Sequence, residues 1–190
     1  MTGRVLVTGF GPFPGVPDNP AAALVRALEA RDLAGVEPVV LPTRWDICET
    51  VAVRAARADA VVMFGVAARE WRIRYERVAL PVASKVPDAV GCTAEAPPLS
   101  SRRTAFDTPA LVRAARRAGF DVRLSNSPGT YICNASYAAA LSSNPKSLFV
   151  HIPPPVARSR TAATRLEAHA LWLIGLIQLI LPASRTPPHR

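Results

Sequence analysis

The sequence predicts an α/β fold in which a mostly parallel, twisted sheet is covered by helices on both faces, a three-layer α/β/α sandwich. Two observations indicate this fold. Short apolar runs alternate with helical patterns along all 190 residues, and no internal repeat or linker interrupts the alternation. Nearly half of the residues are hydrophobic, so residues 1–190 can bury one core as a single domain. We expect residues 183–190 to be a frayed tail.

The first half of the chain carries three predicted strands and two predicted helices. The first strand is followed by a turn rich in glycine and proline, and Asn19 with Pro20 then marks a helix start. The third strand is apolar on both faces, as is typical of a central parallel strand. The predicted elements are strands over 4–9, 36–42 and 60–65, a helix from Asn19 and a helix over 45–58.

The second half begins with a segment that breaks the alternation. Residues 73–82 are β-branched and aromatic enough to form a strand, but no helix separates them from the preceding strand. An antiparallel pairing is therefore expected here, because antiparallel strands need no helical crossover. The remaining predicted elements are a loop over 83–104 rich in proline, glycine and serine, helices over 107–118, 130–142 and 159–181, and strands over 121–125 and 147–152.

The apolar segments at the two ends of the sequence predict neither a membrane span nor secretion. The longest apolar run, residues 170–181, is shorter than the roughly 20 residues that a spanning helix needs, and it suits a buried helix. The sequence begins with VLVTGFGPF almost at once and shows no cleavage signature, so we expect a cytoplasmic protein. The terminal helix could also serve a homo-oligomer interface.

The formal net charge of +9 invites a nucleic-acid hypothesis, but its distribution argues against one. All but two of the 23 basic residues are arginine, and they are spread through several segments without interleaved aromatic residues. We therefore interpret them as solvated helix faces, such as the face predicted for Arg113, Arg116 and Arg117, and expect no nucleic-acid partner.

Cysteine and histidine are scarce, with three of each and no CxxC spacing, so neither a disulfide framework nor a structural zinc site is expected. Cys133 follows the turn Pro128-Gly129 in the first turn of a predicted helix. There the helix dipole and free N–H groups favour a thiolate, although a buried, inert cysteine is the alternative.

His151 is the histidine best placed to act as a base for that thiol. It ends an apolar strand, at the same sheet edge as the turn before Cys133, although a structural role is the alternative. His169 lies in the last helix, where a surface or a packing role is expected, and His189 lies in the tail. Glu76 could orient His151, or it could simply form a salt bridge with a neighbouring arginine, Arg74 or Arg77.

The turn after the first strand contains Gly9, Gly11 and Gly15, but their spacing does not match a dinucleotide-binding motif. Phe10 and Phe13 in this turn lie where α/β sheets bind ligands, so they either wall an apolar pocket or pack the loop onto the core.

Four segments together resemble pyroglutamyl-peptidase I, the cysteine peptidase family that removes an N-terminal pyroglutamate from peptides. The segments are VLVTGFGPFPGVPDNP, DAVVMFGVAAREWRIRYERVAL, SNSPGTYICN and FVHIPPP. The resemblance implies an α/β/α sandwich without metal or cofactor, and catalysis by Cys133, His151 and Glu76 through a thioester. It also implies a lactam pocket at Phe10 and Phe13. The expected substrate-binding set is Phe10, Phe13, Asn19 and Lys85.

The chain also departs from that family. Lys85 stands near the place where the family usually carries an arginine, and the interval from Cys133 to His151 is shorter than is typical. Two alternatives therefore stay open: a cysteine-dependent amidase or omega-peptidase acting on another blocked N-terminus, and a catalytically inactive member that binds a peptide or small molecule.

Overall fold

A computed structural model describes residues 3–13, 15–98, 100–154 and 160–181. Within these residues the strands are β1 (Val5–Phe10), β2 (Val36–Leu41), β3 (Ala60–Val66), β4 (Ile73–Glu76), β5 (Val78–Ala79), β6 (Arg102–Arg103), β7 (Val122–Ser125) and β8 (Ser147–Ile152). The helices are α1 (Pro20–Glu29), α2 (Ile47–Ala56), α3 (Thr108–Arg117), α4 (Ile132–Ser143) and α5 (Arg160–Ile180). The predicted tail, residues 183–190, lies outside the described residues.

Six strands form the main sheet in the order β2-β1-β3-β8-β4-β7. The strands from β2 to β8 in this order are parallel, β4 pairs antiparallel with β8, and β7 is parallel to β4. The sheet has a hydrophobic core on each of its two faces. The face that packs against α1, α3 and α5 is called the first face here. The other core, on the second face, packs the sheet against α2 and α4. The predicted three-layer α/β/α sandwich with a mostly parallel sheet is confirmed.

The segment predicted as one strand over 73–82 is divided into two. β4 pairs antiparallel with β8, as predicted. After Glu76 the backbone N–H of Arg77 donates to the Ser125 carbonyl, and the Arg77 carbonyl accepts from Thr104. The chain thus leaves β8, and β5 pairs instead with β6, which lies within the region predicted as a loop. Pro81 cannot donate to a strand ladder, which is consistent with β5 ending before it.

The helix α1 lies directly against β1 at Gly9. A Cβ atom at Gly9 would stand 2.5 Å from the Ala21 carbonyl oxygen and 2.8 Å from Cγ2 of Val25. Asn19 caps the helix, as predicted, because its Oδ1 accepts a 3.0 Å hydrogen bond from the Ala21 N–H.

The helix α5 contributes mainly to the core. Its buried residues include Ala170, Leu173, Ile174 and Ile177, which confirms the buried-helix prediction, whereas Leu179 and Ile180 at its end are exposed. Among the described residues, none of the helices combines the length and the hydrophobicity that a membrane span requires. Arg113, Arg116 and Arg117 are exposed on α3, as predicted.

His169 anchors α5 to the sheet. It is fully buried, and its Nε2 lies 2.8 Å from the hydroxyl of Tyr75 on β4. Burial lowers the pKa of His169 to about 4, so its ring is neutral near pH 7. Of the two roles expected for this histidine, on the surface or in packing, its burial shows packing.

Substitution of two glycines by alanine tests the helix–sheet contact. We expect Gly9→Ala to destabilise the fold by about 1–3 kcal/mol, because the added methyl group meets helix backbone. Gly175→Ala in α5 is the matched control, because its Cβ would meet nothing within 4 Å. It should stabilise the protein by about 0.5–1 kcal/mol. Urea unfolding of both variants measures the changes, and a neutral Gly9→Ala would contradict this packing.

Candidate active site

The candidate site lies on the second face, beside the carboxyl ends of β3 and β8. His151 is the fifth residue of β8, and its register partner on β3 is Gly65. Its side chain shares a face with that of Phe149, and the two rings are 4.8 Å apart. His151 is buried, with 3% of its surface exposed.

The antiparallel pairing of β4 with β8 brings Glu76 to His151. Arg74 pairs with His151 in register and Glu76 pairs with Phe149, so all four side chains share one face. His151 Nδ1 lies 2.8 Å from Oε1 of Glu76. Because a carboxylate can only accept, the neutral ring donates from Nδ1, and Nε2 is left as the basic nitrogen.

Glu76 also forms the alternative contact that the sequence suggested. Nη2 of Arg74 lies 3.2 Å from its Oε1, and among the described residues Arg74, not Arg77, makes this ion pair. Burial opposes ionisation of Glu76, but the hydrogen bond and charge of His151 outweigh it, with smaller contributions from Ser125 and Arg74. Together they hold the pKa of the carboxyl below its ordinary value.

Cys133 is the second residue of α4 and stands over β3. Its Sγ lies 2.9 Å from the position that a Cβ atom would occupy at Gly65, and Cζ of Phe149 lies 2.7 Å from the same position. Glycine is the one residue that fits here without a shift of its neighbours, because a Cβ atom does not come so close to non-bonded atoms. Cys133 is therefore held beside the strand position opposite His151.

The thiol of Cys133 is neutral in the resting site. Burial raises its pKa to about 12 and outweighs the lowering by its backbone N–H at the helix start. The charge of Glu76 raises this pKa further, and that of Arg74 lowers it. The helix terminus thus acts in the expected direction, but a base is needed to form the thiolate.

Asn134 is a site residue that the sequence analysis missed. It is fully buried, and its side chain makes hydrogen bonds of 2.8–2.9 Å with the N–H and carbonyl of Leu80 and the carbonyl of Val82. A polar residue directly after the cysteine, near the start of the predicted helix, was the available signal. These bonds fix the chain after β5 against the start of α4.

Lys85 follows this anchored segment and is exposed. The N–H of its neighbour Ser84 donates a 2.6 Å hydrogen bond to the carbonyl of Thr130, three residues before Cys133. The backbone beside Lys85 is therefore tied to the turn that precedes the cysteine.

The two phenylalanines differ in burial. Phe10, at the end of β1, is 2% exposed and belongs to the core on the second face. Phe13 is partly exposed, and its ring centroid lies 6.2 Å from that of Tyr131. Tyr131 in turn contacts Trp45 edge-on at 5.2 Å. Tyr131 and Trp45 were not singled out from the sequence, because only the folded loops bring them to Phe13.

Asn19 has both ends of its amide occupied within the protein. Besides capping α1, its Nδ2 donates a 2.8 Å hydrogen bond to the carbonyl of Gly11. Thr43 donates to the same carbonyl at 2.9 Å. Asn19 therefore shapes the turn that carries Phe10 and Phe13.

Comparison with known proteins places these residues in a family. A family model described as Pyroglutamyl peptidase matches residues 3–164. A pyrrolidone-carboxylate peptidase of Thermococcus kodakarensis is 34% identical, with 79% of this chain and 81% of that protein covered. One of Pseudomonas fluorescens is 31% identical, with 96% and 93% covered.

Solved structures agree on the fold. A mutant pyrrolidone carboxyl peptidase from Pyrococcus furiosus superposes with a TM-score of 0.81 at 22% identity, covering 94% of this chain and 100% of that one. The pyrrolidone carboxyl peptidase from Thermus thermophilus gives 0.74 at 25% identity, covering 91% and 98%. With the family match over most of its length, the chain belongs to the pyroglutamyl peptidase family, a family of cysteine peptidases, as the resemblance predicted.

Proposed function

We propose that the protein hydrolyses the N-terminal pyroglutamyl residue from peptides, with Cys133 as nucleophile, His151 as base and Glu76 as the orienting carboxylate. The observation that carries this proposal is the 2.8 Å hydrogen bond from His151 to Glu76, on the sheet face over which Cys133 is held. The hydrogen bond fixes the tautomer in which Nε2 can accept a proton.

In the proposed mechanism the thiol proton of Cys133 moves to Nε2 of His151, and the sulfur attacks the acyl carbon of the pyroglutamyl residue. A C–S bond forms, the C–N bond breaks, and His151 gives its proton to the departing amine. Water then adds to the thioester, with His151 again as the base, and the free thiol is restored. Backbone N–H groups at the start of α4 stabilise the oxyanion.

The proposed lactam pocket uses the aromatic rings beside the site. Phe13 and Tyr131 offer apolar surface, and buried Phe10 supports the loop from below. A pyroglutamyl N-terminus is cyclic and uncharged, so it enters such a pocket without the desolvation cost of an ammonium group. Asn19 acts by shaping the loop, and exposed Lys85 contacts the substrate from the segment anchored at Thr130.

The proposed partner is thus a peptide, not a nucleic acid. The mechanism requires Cys133 to stay reduced, and all three cysteines are free thiols in this fold. We therefore propose the cytoplasm, where thiols are kept reduced, as the site of action.

The nucleophile is tested by fluorophore release from a pyroglutamyl conjugate. Cys133→Ala should lower kcat by at least about 1,000-fold, because the thioester cannot form. Exposed Cys92 supplies the matched control, and Cys92→Ala should stay within about twofold of wild type. No release by folded wild-type protein would refute the activity, and release by Cys133→Ala would refute the mechanism. Prolyl and glutamyl conjugates should not be cleaved, and their cleavage would favour another substrate.

The orienting role of Glu76 is tested by Glu76→Gln. An amide can present its NH₂ group to Nδ1 and so favours the tautomer that protonates Nε2. We expect kcat to fall by about 100- to 10,000-fold with a smaller change in KM. Glu95→Gln, at an exposed position, is the control. If folded Glu76→Gln kept a kcat within threefold of wild type, Glu76 would have no orienting role, and its carboxylate would only form a salt bridge.

The close approach at Gly65 is tested by Gly65→Ala. The added methyl group would overlap Sγ of Cys133 and the ring of Phe149, so one of them must move. A displacement near 1 Å should lower kcat by about 10- to 100-fold. The activity of the folded variant relative to Gly175→Ala measures the effect. Unchanged kcat would mean that Cys133 is not positioned by this contact.

A further inference from the structure

Arg74 occupies a position between the catalytic groups and an outer carboxylate. Its Nη1 lies 2.9 Å from Oε1 of Glu70, which also pairs with Arg123. Its Nη2 lies 3.2 Å from Oε1 of Glu76 and 3.3 Å from Nδ1 of His151, and it donates to the Ser127 carbonyl at 3.3 Å. Its side chain is only 12% exposed. One guanidinium therefore joins the inner carboxylate to the outer one.

We propose that Arg74, clamped by Glu70, is a positioning residue that fixes the Glu76 carboxylate toward His151 and favours formation of the Cys133 thiolate. This inference rests on the proposed function, because it assigns a role within the same site. Arg74 reaches Cys133 through its charge, and through its contacts with Glu76 and His151.

The geometry of the shared oxygen supports the positioning role. Oε1 of Glu76 accepts from both Nδ1 of His151 and Nη2 of Arg74. Without Glu76, the Arg74 N–H group at 3.3 Å would need an acceptor at Nδ1 of His151. It would therefore favour the tautomer that has its proton on Nε2. With Glu76 between them, both donors point to one acceptor. Arg74 thus holds the oxygen on which the productive tautomer depends.

The balance of charges supports the electrostatic role. Glu70, Arg74, Glu76 and Arg123 sum to zero, and the thiolate–imidazolium pair of Cys133 and His151 adds one charge of each sign. Without Arg74 the site would carry one excess negative charge, which opposes a thiolate. The charge of Arg74 lowers the pKa of Cys133, whereas that of Glu76 raises it.

The test measures alkylation of Cys133 by iodoacetamide near pH 7.5, followed by mass spectrometry in a Cys48→Ala, Cys92→Ala background. It needs no substrate, so it is independent of the proposed activity. Arg74→Met should slow alkylation about tenfold and lower kcat by a similar factor or more, because the thiolate loses a neighbouring cation. Arg74→Lys keeps the charge and should restore alkylation to within about twofold.

Two further variants decide between an electrostatic and a merely structural role. Glu70→Gln keeps an acceptor for Arg74 but removes its counter-charge, so alkylation should become about two- to fivefold faster. Arg72→Met is the matched control, because Arg72 is exposed and pairs with exposed Asp121, and its rates should match wild type.

Opposite shifts in Arg74→Met and Glu70→Gln would support the proposal even if pyroglutamyl conjugates were not cleaved. Unchanged alkylation in folded Arg74→Met, or slower alkylation in Glu70→Gln, would overturn it. If Arg74→Met does not fold, the alkylation rates of the other two variants decide. Faster alkylation in Glu70→Gln, with Arg74→Lys within about twofold of wild type, would support the proposal, and slower alkylation in Glu70→Gln would overturn it.

Discussion

The antiparallel pairing of β4 with β8 determines which side chains meet at the candidate active site. In this register Arg74 and Glu76 lie on the face that carries His151, whereas Tyr75 lies on the opposite face. A slip by one residue would exchange the two faces and remove both charged groups from the histidine. The buried hydrogen bond between Tyr75 and His169 ties the far side of β4 to α5, so the other core layer helps to hold this register.

Cys133 depends on a second constraint, the close approach of α4 to β3 at Gly65. Asn134, the next residue, fixes the same helix start to the chain after β5. The cysteine is thus held by packing and hydrogen bonds on rigid elements, while the aromatic rings beside it come from connecting loops. In the proposed function, the sheet would therefore fix the reacting groups and the loops would bind the substrate.

Local patterns were sufficient to predict the α/β layers, the antiparallel segment and the placement of Cys133 and His151 at one sheet edge. They left Glu76 with two interpretations, and in the structure both contacts exist at one oxygen. The role of Gly65 was not readable, and the sequence left open whether Phe10 lines a pocket or packs onto the core, because each depends on contacts between elements distant in sequence. The division of the segment 73–82 was missed for the same reason, since β5 pairs with the distant strand β6 and not with β8.

In the proposed function, Cys133 carries the acyl group during turnover, with His151 and Glu76 supporting it. Acid quenching of the enzyme during steady-state hydrolysis of a pyroglutamyl conjugate, followed by peptide mass spectrometry, tests this most directly. We expect a pyroglutamyl adduct on the peptide that contains Cys133 and none on those containing Cys48 or Cys92. An adduct on another residue, or its absence under conditions that trap thioesters, would contradict it.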